Sequence, residues 1–157
     1  MKKNDAISFL ETLNVAPVFK DMWENKFPEK MYFKSTPESY LDISEDLSKV
    51  VTDLKHLLPL WVDNGDSVVG YCMSTKKYLQ FYYEDGGEEN PNEHIDILGA
   101  NYQQFINSLL LDKLDAGRED EIDYWAELFS YKYLPKLKEL YTNNDEEVIE
   151  IFHQSLQ

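Results

Sequence analysis

Cysteine is almost absent from this chain of 157 residues. No apolar run approaches the roughly 20 residues that a membrane-spanning helix needs. The single cysteine, Cys72, excludes an internal disulfide. No apolar stretch typical of a secretory signal follows the charged residues at the N-terminus. We therefore expect a protein of the reducing cytoplasm that does not enter a membrane.

Basic residues are few as well. The chain has 15 lysines and arginines against 30 aspartates and glutamates, which gives a net charge of −15 at pH 7. A field of that sign repels phosphate backbones and anionic lipid, so we expect neither a nucleic-acid partner nor a membrane partner. It attracts basic proteins and accelerates their encounter. The plainer alternative is that the acidity serves only solubility.

Apolar residues make up 43% of the chain and aromatic residues 14%, which is enough for one domain with a hydrophobic core. Helical periodicity marks a short N-terminal helix, and Asn4 or Asp5 is its expected cap. A second helical pattern starts at Ser44, includes Leu58 and is stopped by Pro59.

The middle of the chain changes to the period-two pattern of β-strands. The strand-like runs are residues 60–62, 68–73, 78–83 and 93–98. A four-residue connection at 74–77 has the length of a hairpin turn. In the last run, Ile95 and Ile97 should point the same way. These runs predict a twisted antiparallel meander near residues 60–98.

Helical patterns return after Gly99. Pro135 should kink or restart the helix that precedes it, and Asn144 is the expected cap of the last helix. Four residues should face inward from that last helix: Val148, Ile151, Phe152 and Leu156. The sequence as a whole predicts a single α+β domain over residues 1–157, with N- and C-terminal helices flanking the sheet.

The polar segment at residues 63–66 is the first candidate for a metal site. An EF-hand loop needs an oxygen ligand at its first position and glycine at its sixth. Placing Gly65 sixth puts Leu60 first, and placing Gly86 sixth puts Phe81 first, so both alignments fail. Because Asn-Gly favours a positive φ, the segment predicts a structural turn.

Catalytic motifs are missing from the sequence. It has no Gly-x-Ser-x-Gly, no His-Glu-x-x-His and no phosphate-binding loop. A nucleophilic pair would need Cys72 beside His56, His94 or His153, but Cys72 lies in an apolar strand run, where free cysteine is usually packed and inert. We predict no catalytic residue, no metal and no cofactor. A small enzyme with an acidic active site is the weakest alternative.

Two acidic runs remain as candidate binding surfaces. In the first, which follows the aromatic strand, the residues expected to bind a partner are Tyr82, Glu84, Asp85, Glu88 and Glu89. The second, Asp112 to Glu127, is interrupted only by Lys113 and Arg118. Charge steers a basic partner to such a surface and aromatic side chains anchor it. The plainer interpretation is a solvated loop with tyrosine in the core.

The middle of the chain resembles the SUKH superfamily, which includes a fungal cell-wall-assembly regulator and many bacterial immunity proteins. The resemblance covers residues 57–111 and rests on two stretches, PLWVDNGDSVVGYCMSTKKYLQFYYEDGG and HIDILGANYQQFINSLL. The matching parts are Leu60–Val62, Gly65-Asp66, Val68–Met73, Tyr78–Tyr83, Glu84–Gly87 and Phe105.

The N-terminal part departs from the pattern, since Phe27-Pro28 is not followed by the Asn-Gly-Gly turn that many members have. The resemblance implies a non-enzymatic binding module, an immunity protein that binds and neutralises a co-encoded toxin. The acidity suits a basic toxin domain such as a nuclease. The alternative that it leaves open is a general regulatory or interaction protein of the same fold.

Overall fold

The structure is a computed structural model that describes residues 2–31, 34–40, 56–63, 67–82 and 95–157. Helices and an antiparallel sheet make up most of these residues, so the predicted α+β class is confirmed. Contacts between residues divide the chain into two compact units, Met1–Ile97 and Leu98–Gln157. The single domain over residues 1–157 stays a prediction, and each unit is described by itself.

The helices of the first unit are short. They are α1 (Lys3–Thr12), α2 (Val18–Trp23), a 3-10 turn (Glu29–Met31) and α3, described for residues 37–40. Helix α1 buries Ala6 and Leu10 and packs against α2. The predicted cap was wrong, because Lys2 holds the N-cap position without a side-chain bond and both Asn4 and Asp5 lie inside the first turn.

The strands follow one another in space as they do in sequence, in the order β1-β2-β3-β4-β5. They are β1 (Lys34–Ser35), β2 (Leu57–Asp63), β3 (Ser67–Cys72), β4 (Lys77–Tyr82) and β5 (Ile95–Gly99). The pairs β1–β2, β2–β3 and β3–β4 are antiparallel. The four residues 73–76 join β3 to β4, with Lys76 at φ 57°. The predicted meander and its hairpin are therefore confirmed.

Strand β2 begins earlier than the sequence predicted. Leu58 pairs with Tyr71 and Pro59 with Gly70, so assigning Leu58 to a helix stopped by Pro59 was wrong. Proline lacks an N–H, and it is tolerated here because the register shifts just after Pro59 and β1 pairs only with the far end of β2. The rest of that predicted helix, residues 44–55, and the turn at 64–66 lie outside the described residues.

One hydrophobic cluster of the first unit lies on one face of the sheet, and other buried residues, among them Phe19, Met22 and Trp23, lie outside it. Its members are Tyr40, Leu57, Val62, Val68, Cys72, Leu79 and Phe81. Ile95 packs against this cluster from β5, whereas Ile97 is 62% exposed. In β4, Leu79 and Phe81 are buried in this cluster and Gln80 is partly exposed, whereas Tyr78, at an alternate position, is also buried.

The second unit is helical apart from the end of β5. Its helices are α4 (Tyr102–Asp115), a 3-10 turn (Glu119–Glu121), α5 (Ile122–Leu128), α6 (Leu134–Asn143) and α7 (Glu146–Ser155). Helix α4 contacts α5 and α7, and α6 contacts α7. Phe105, Ile106 and Leu110 are fully buried on the predicted inner face of α4. Pro135 lies in the first turn of α6, which confirms the predicted restart.

The last helix corrects two predictions. Asn144 has φ 52° and ends α6, while Asp145 caps α7 by accepting a hydrogen bond from the backbone N–H of Val148 at 3.2 Å. The predicted inward face was wrong for Val148 and Ile151; Phe152 is partly buried, although no residue of α7 is fully buried. Val148 is 40% exposed and Ile151 60% exposed, and only Leu156, beyond the helix end, is buried.

Candidate protein-binding surface

The first predicted binding surface lies mostly outside the described residues. Tyr82 is the last residue of β4, where it pairs with Ser67 of β3 and is partly exposed. Glu84, Asp85, Glu88 and Glu89 fall between positions 83 and 94, which the structure does not describe. The contact at this loop stays a prediction, with Tyr82 at the end of an ordered strand.

The second acidic run, Asp112 to Glu127, is described throughout. It passes from the last turns of α4 through the 3-10 turn into α5. Leu114, Ile122 and Trp125 are buried at intervals along it, and burying them turns the intervening polar positions outward. Six carboxylates of the run are exposed: Asp112, Asp115, Glu119, Asp120, Asp123 and Glu127.

Neighbouring side chains engage part of this acidic surface. The hydroxyl of Tyr141 donates to Asp115 at 3.1 Å, and the ammonium of Lys138 contacts both oxygens of Asp123, at 2.8 and 2.7 Å. Desolvation and the nearby Asp115 carboxylate raise the pKa of the Tyr141 hydroxyl. The indole N–H of Trp125 donates to Glu121 at 2.9 Å. These bonds fix the local geometry, and the Lys138 ammonium offsets the charge of Asp123.

Three exposed carboxylates of the run, Glu119, Asp120 and Glu127, have no hydrogen bond or ion pair to any residue in the described part of the chain. The nearby lysines do not offset them. The Lys113 ammonium lies 3.9 Å above the ring of Trp125, and Lys138 is held by Asp123. Arg118 is the exposed basic residue of the run, and the six exposed carboxylates outnumber it, so the surface presents a negative field to solvent.

A groove of about 470 Å³ adjoins this surface. Buried Leu114 and Ile122 contribute apolar lining, and Glu119 contributes a carboxylate; Lys138, Tyr141 and Thr142 complete the lining. A groove with this lining can accept a side chain that combines an apolar stem with a cationic head, since the stem packs on leucine and isoleucine and the head meets the carboxylate.

A buried polar cluster joins three parts of the second unit. Asn107 is fully buried on α4, accepts a hydrogen bond from the Tyr131 hydroxyl at 2.5 Å and lies with its amide nitrogen 3.1 Å from Nδ1 of His153 on α7. Burial lowers the pKa of His153, against an opposing effect of Glu150, and raises that of Tyr131. The neutral imidazole accepts from the amide, so the cluster is a structural link between helices.

Asn107 and Tyr131 were not among the residues that the sequence singled out. The signal was present, because Asn107 falls between Ile106 and Leu110 on the inner side of an apolar helix. A polar residue at such a position must find a hydrogen-bond partner. The sequence does not show which distant residue supplies that partner.

Cys72 is fully buried in the core cluster, which confirms the predicted packed thiol. Its sulfur lies 3.1 Å from the hydroxyl oxygen of Ser74. Burial raises the pKa of the thiol, but the hydrogen bonds of Ser74 and Thr75 outweigh it, and the net shift is downward. The lowered pKa therefore favours the reactive thiolate, whereas burial restricts the access of a reagent to it.

Within the described ranges, no group of three or more histidine, cysteine, aspartate or glutamate side chains could hold a metal ion. Nor does any helix among those residues have the length and apolar character to cross a membrane. Comparison of the chain with protein-family models, with curated proteins and with solved structures gives no match.

Proposed function

We propose that this chain is a non-enzymatic binding module that neutralises a basic partner protein, as an immunity protein does for a co-encoded toxin. One observation carries the proposal: Glu119, Asp120 and Glu127 are exposed carboxylates without partners among the described residues, on a helical surface of a chain with net charge −15. The sequence resemblance to the SUKH superfamily supports the same function.

The physical argument is one of complementary surfaces. A nuclease holds its substrate by contacting phosphates with lysine and arginine, so its active face is positively charged. An acidic protein is drawn to that face and, once bound there, excludes the nucleic acid. The proposed site of action is the cytoplasm, where the toxin would otherwise reach its target.

The second candidate is a regulatory protein that binds a partner other than a toxin. Both candidates use a binding surface and neither needs a catalytic group, so the gene neighbourhood separates them. A neighbouring gene for a large toxin with a basic C-terminal domain favours neutralisation. The buried thiol and the hydrogen-bonded histidine offer no support for an enzyme.

The first prediction concerns the acidic run. Replacing Glu119, Asp120 and Glu127 by lysine should slow association with the basic toxin domain by about tenfold or more at low salt, because steering is lost. The defect should shrink as salt rises, since screening acts within about 10 Å at 0.1 M. The association rate, measured by stopped flow across a salt series, tests this.

A matched control carries the same reversals at Asp5, Asp21 and Glu29, which are exposed acids of the first unit. Both triple variants change the net charge by the same amount. A difference between their association rates therefore reports where the charges lie on the protein. Equal slowing in the two would contradict a binding site on the acidic run. A third variant, with lysine at Asp85, Glu88 and Glu89, tests the loop predicted from sequence. If all three variants inhibited the toxin as well as wild type does, the proposed function would be wrong.

A further inference from the structure

Helix α7 exposes apolar side chains that its sequence pattern would have buried. Val148 and Ile151 are one turn apart and are 40% and 60% exposed. Side chains at this spacing are neighbours on the helix surface. Isolated exposed apolar residues are common, but a pair one turn apart and flanked by the exposed carboxylates of Glu147 and Glu150 forms an apolar contact site.

Polar contacts explain why this face points outward. Asn101 donates to the backbone oxygen of Leu156 at 2.8 Å, and Gln104 donates to that of Gln154 at 3.3 Å. Asn107, one further turn along α4, contacts His153. These three side chains, from the N-cap of α4 and its first two turns, hold the C-terminal half of α7 and the residue that follows it.

One aromatic contact completes this attachment. The ring of Phe152 packs edge-on against Tyr133, with 6.3 Å between the ring centres. The side of α7 that carries Phe152 and His153 therefore faces the unit. Val148 and Ile151 are left on the solvent side.

The charges around the pair specify what can cover it. From Glu139 to Gln157 the chain has no lysine or arginine. Its acids in that stretch are Glu139, Asp145, Glu146, Glu147 and Glu150. Glu147 is exposed and lies one turn from both Glu150 and Ile151. An occupant must therefore be apolar at its centre and positively charged around it.

A second copy of this chain does not meet that requirement. It would bring the same carboxylates opposite each other, and like charges at close range oppose association. Two aliphatic side chains also bury far less surface area than the roughly 800 Å² per partner of a standard interface. The pair fits an anchor within a larger contact made with a basic partner.

We infer that the Val148–Ile151 face of α7 is an apolar anchor site that takes a basic amphipathic segment of the partner protein. The partner's aliphatic side chain packs on Ile151, and its lysine or arginine side chains pair with Glu147 and Glu150. This inference deepens the proposed function and rests on it, because it adds an apolar anchor on α7 to the acidic run and names the partner chemistry that fits it.

The test uses a synthetic amphipathic helix with leucine on one face and lysine on the other. Its dissociation constant for the full chain should rise about tenfold in Ile151→Ser, because the apolar contact between the peptide and the isoleucine that it covers is lost. Val148→Ser should give a smaller rise in the same direction. Ile97→Ser is the matched control, since Ile97 is 62% exposed on β5, and it should bind as wild type does.

A second peptide, with serine in place of every leucine, separates apolar docking from charge alone. It should bind wild type weakly and should not distinguish Ile151→Ser from wild type. Amide chemical-shift changes with the leucine peptide should centre on residues 146–155. Equal affinity of the two peptides, or equal loss in Ile97→Ser, would overturn the inference.

Self-association is measured in parallel by sedimentation equilibrium. A wild-type dimer that Ile151→Ser dissociates would assign the face to a second copy and also overturn the inference. Circular dichroism checks that the exposed substitutions leave the fold intact. If the charge reversals at Glu119, Asp120 and Glu127 slow toxin binding while Ile151→Ser leaves both peptide and toxin affinity unchanged, the anchor site is wrong and the proposed function stands.

Discussion

At the scale of single residues, two effects on the reactivity of the Cys72 thiol oppose each other. The Ser74 and Thr75 hydrogen bonds that lower the pKa of its thiol favour the reactive thiolate, whereas complete burial keeps reagents away. Labelling needs both a thiolate and access. Since an excluded reagent cannot react with any thiolate, burial should control the rate in the native protein.

We predict slow labelling of native Cys72 by a thiol reagent such as DTNB and rapid labelling in denaturant. Cys72 is the only cysteine, so the signal has a single source. Ser74→Ala, which removes a hydrogen bond without opening the core, should stay slow. Cys72→Ala should lower the free energy of unfolding by about 1 kcal/mol through lost packing. Full native labelling within the mixing time would contradict the prediction.

At the scale of elements, Gly70 controls how closely β2 and β3 approach. It pairs with Pro59 beside the register shift. A Cβ at position 70 would lie 2.7 Å from the backbone oxygen of Leu58 and 2.8 Å from Cδ1 of Leu57. The leucine side chain can move, but the carbonyl belongs to the strand itself, so added volume must displace the backbone.

We predict that Gly70→Ala lowers the free energy of unfolding by about 2 kcal/mol, as overpacking of a dense core does. Gly117→Ala is the control: its φ is 71° and nothing lies within 4 Å of the added Cβ, so only backbone strain of about 1 kcal/mol is expected. Urea unfolding measures both. A smaller loss at Gly70 than at Gly117 would show that the strands separate at little cost.

Elements were predictable from sequence where local pattern and tertiary packing agree. The hairpin at β3–β4 and the inner face of α4 follow from alternation and apolar spacing alone. The start of β2 did not, because the strand-breaking tendency of Pro59 is overridden by its place next to a register shift. The orientation of α7 did not, because polar contacts from Asn101, Gln104 and Asn107 decide which face turns inward.

The sequence predicted which acidic residues belong to the candidate surface but only part of how they are arranged. Its acids could be counted from sequence, but their pairing could not. Lys138 lies 15 residues beyond Asp123 in the chain and neutralises it through a contact that only folding creates. The exposed pair Val148 and Ile151 was missed for the same reason, since apolar periodicity alone does not show whether a neighbouring element covers it.

At the scale of the whole molecule, the net charge of −15 destabilises the folded state, because like charges repel one another in it. The ion pairs between described residues, such as Lys20 with Glu11, are exposed and add little stability. Repulsion among the carboxylates is therefore the larger electrostatic effect, and salt should relieve it by screening.

We predict that raising NaCl from about 10 to about 150 mM, which shortens the screening length to about 8 Å, raises the melting temperature by a few degrees at pH 7. The variant with lysine at Asp5, Asp21 and Glu29 has less repulsion to screen and should gain less. Differential scanning fluorimetry across the series checks both. A melting temperature that falls with salt would mean that attractive pairs dominate.

The attachment of α7 by Asn101, Gln104 and Asn107 has a consequence for how this protein can change over evolutionary time. Because these contacts use backbone oxygens and one histidine, the fold places little constraint on the side chains of the solvent-facing positions of α7. Substitutions at Val148 or Ile151 can then accumulate without loss of the folded state. Because α7 is held on one side only, single substitutions on its solvent-facing side can change the specificity for a partner that is itself diverging.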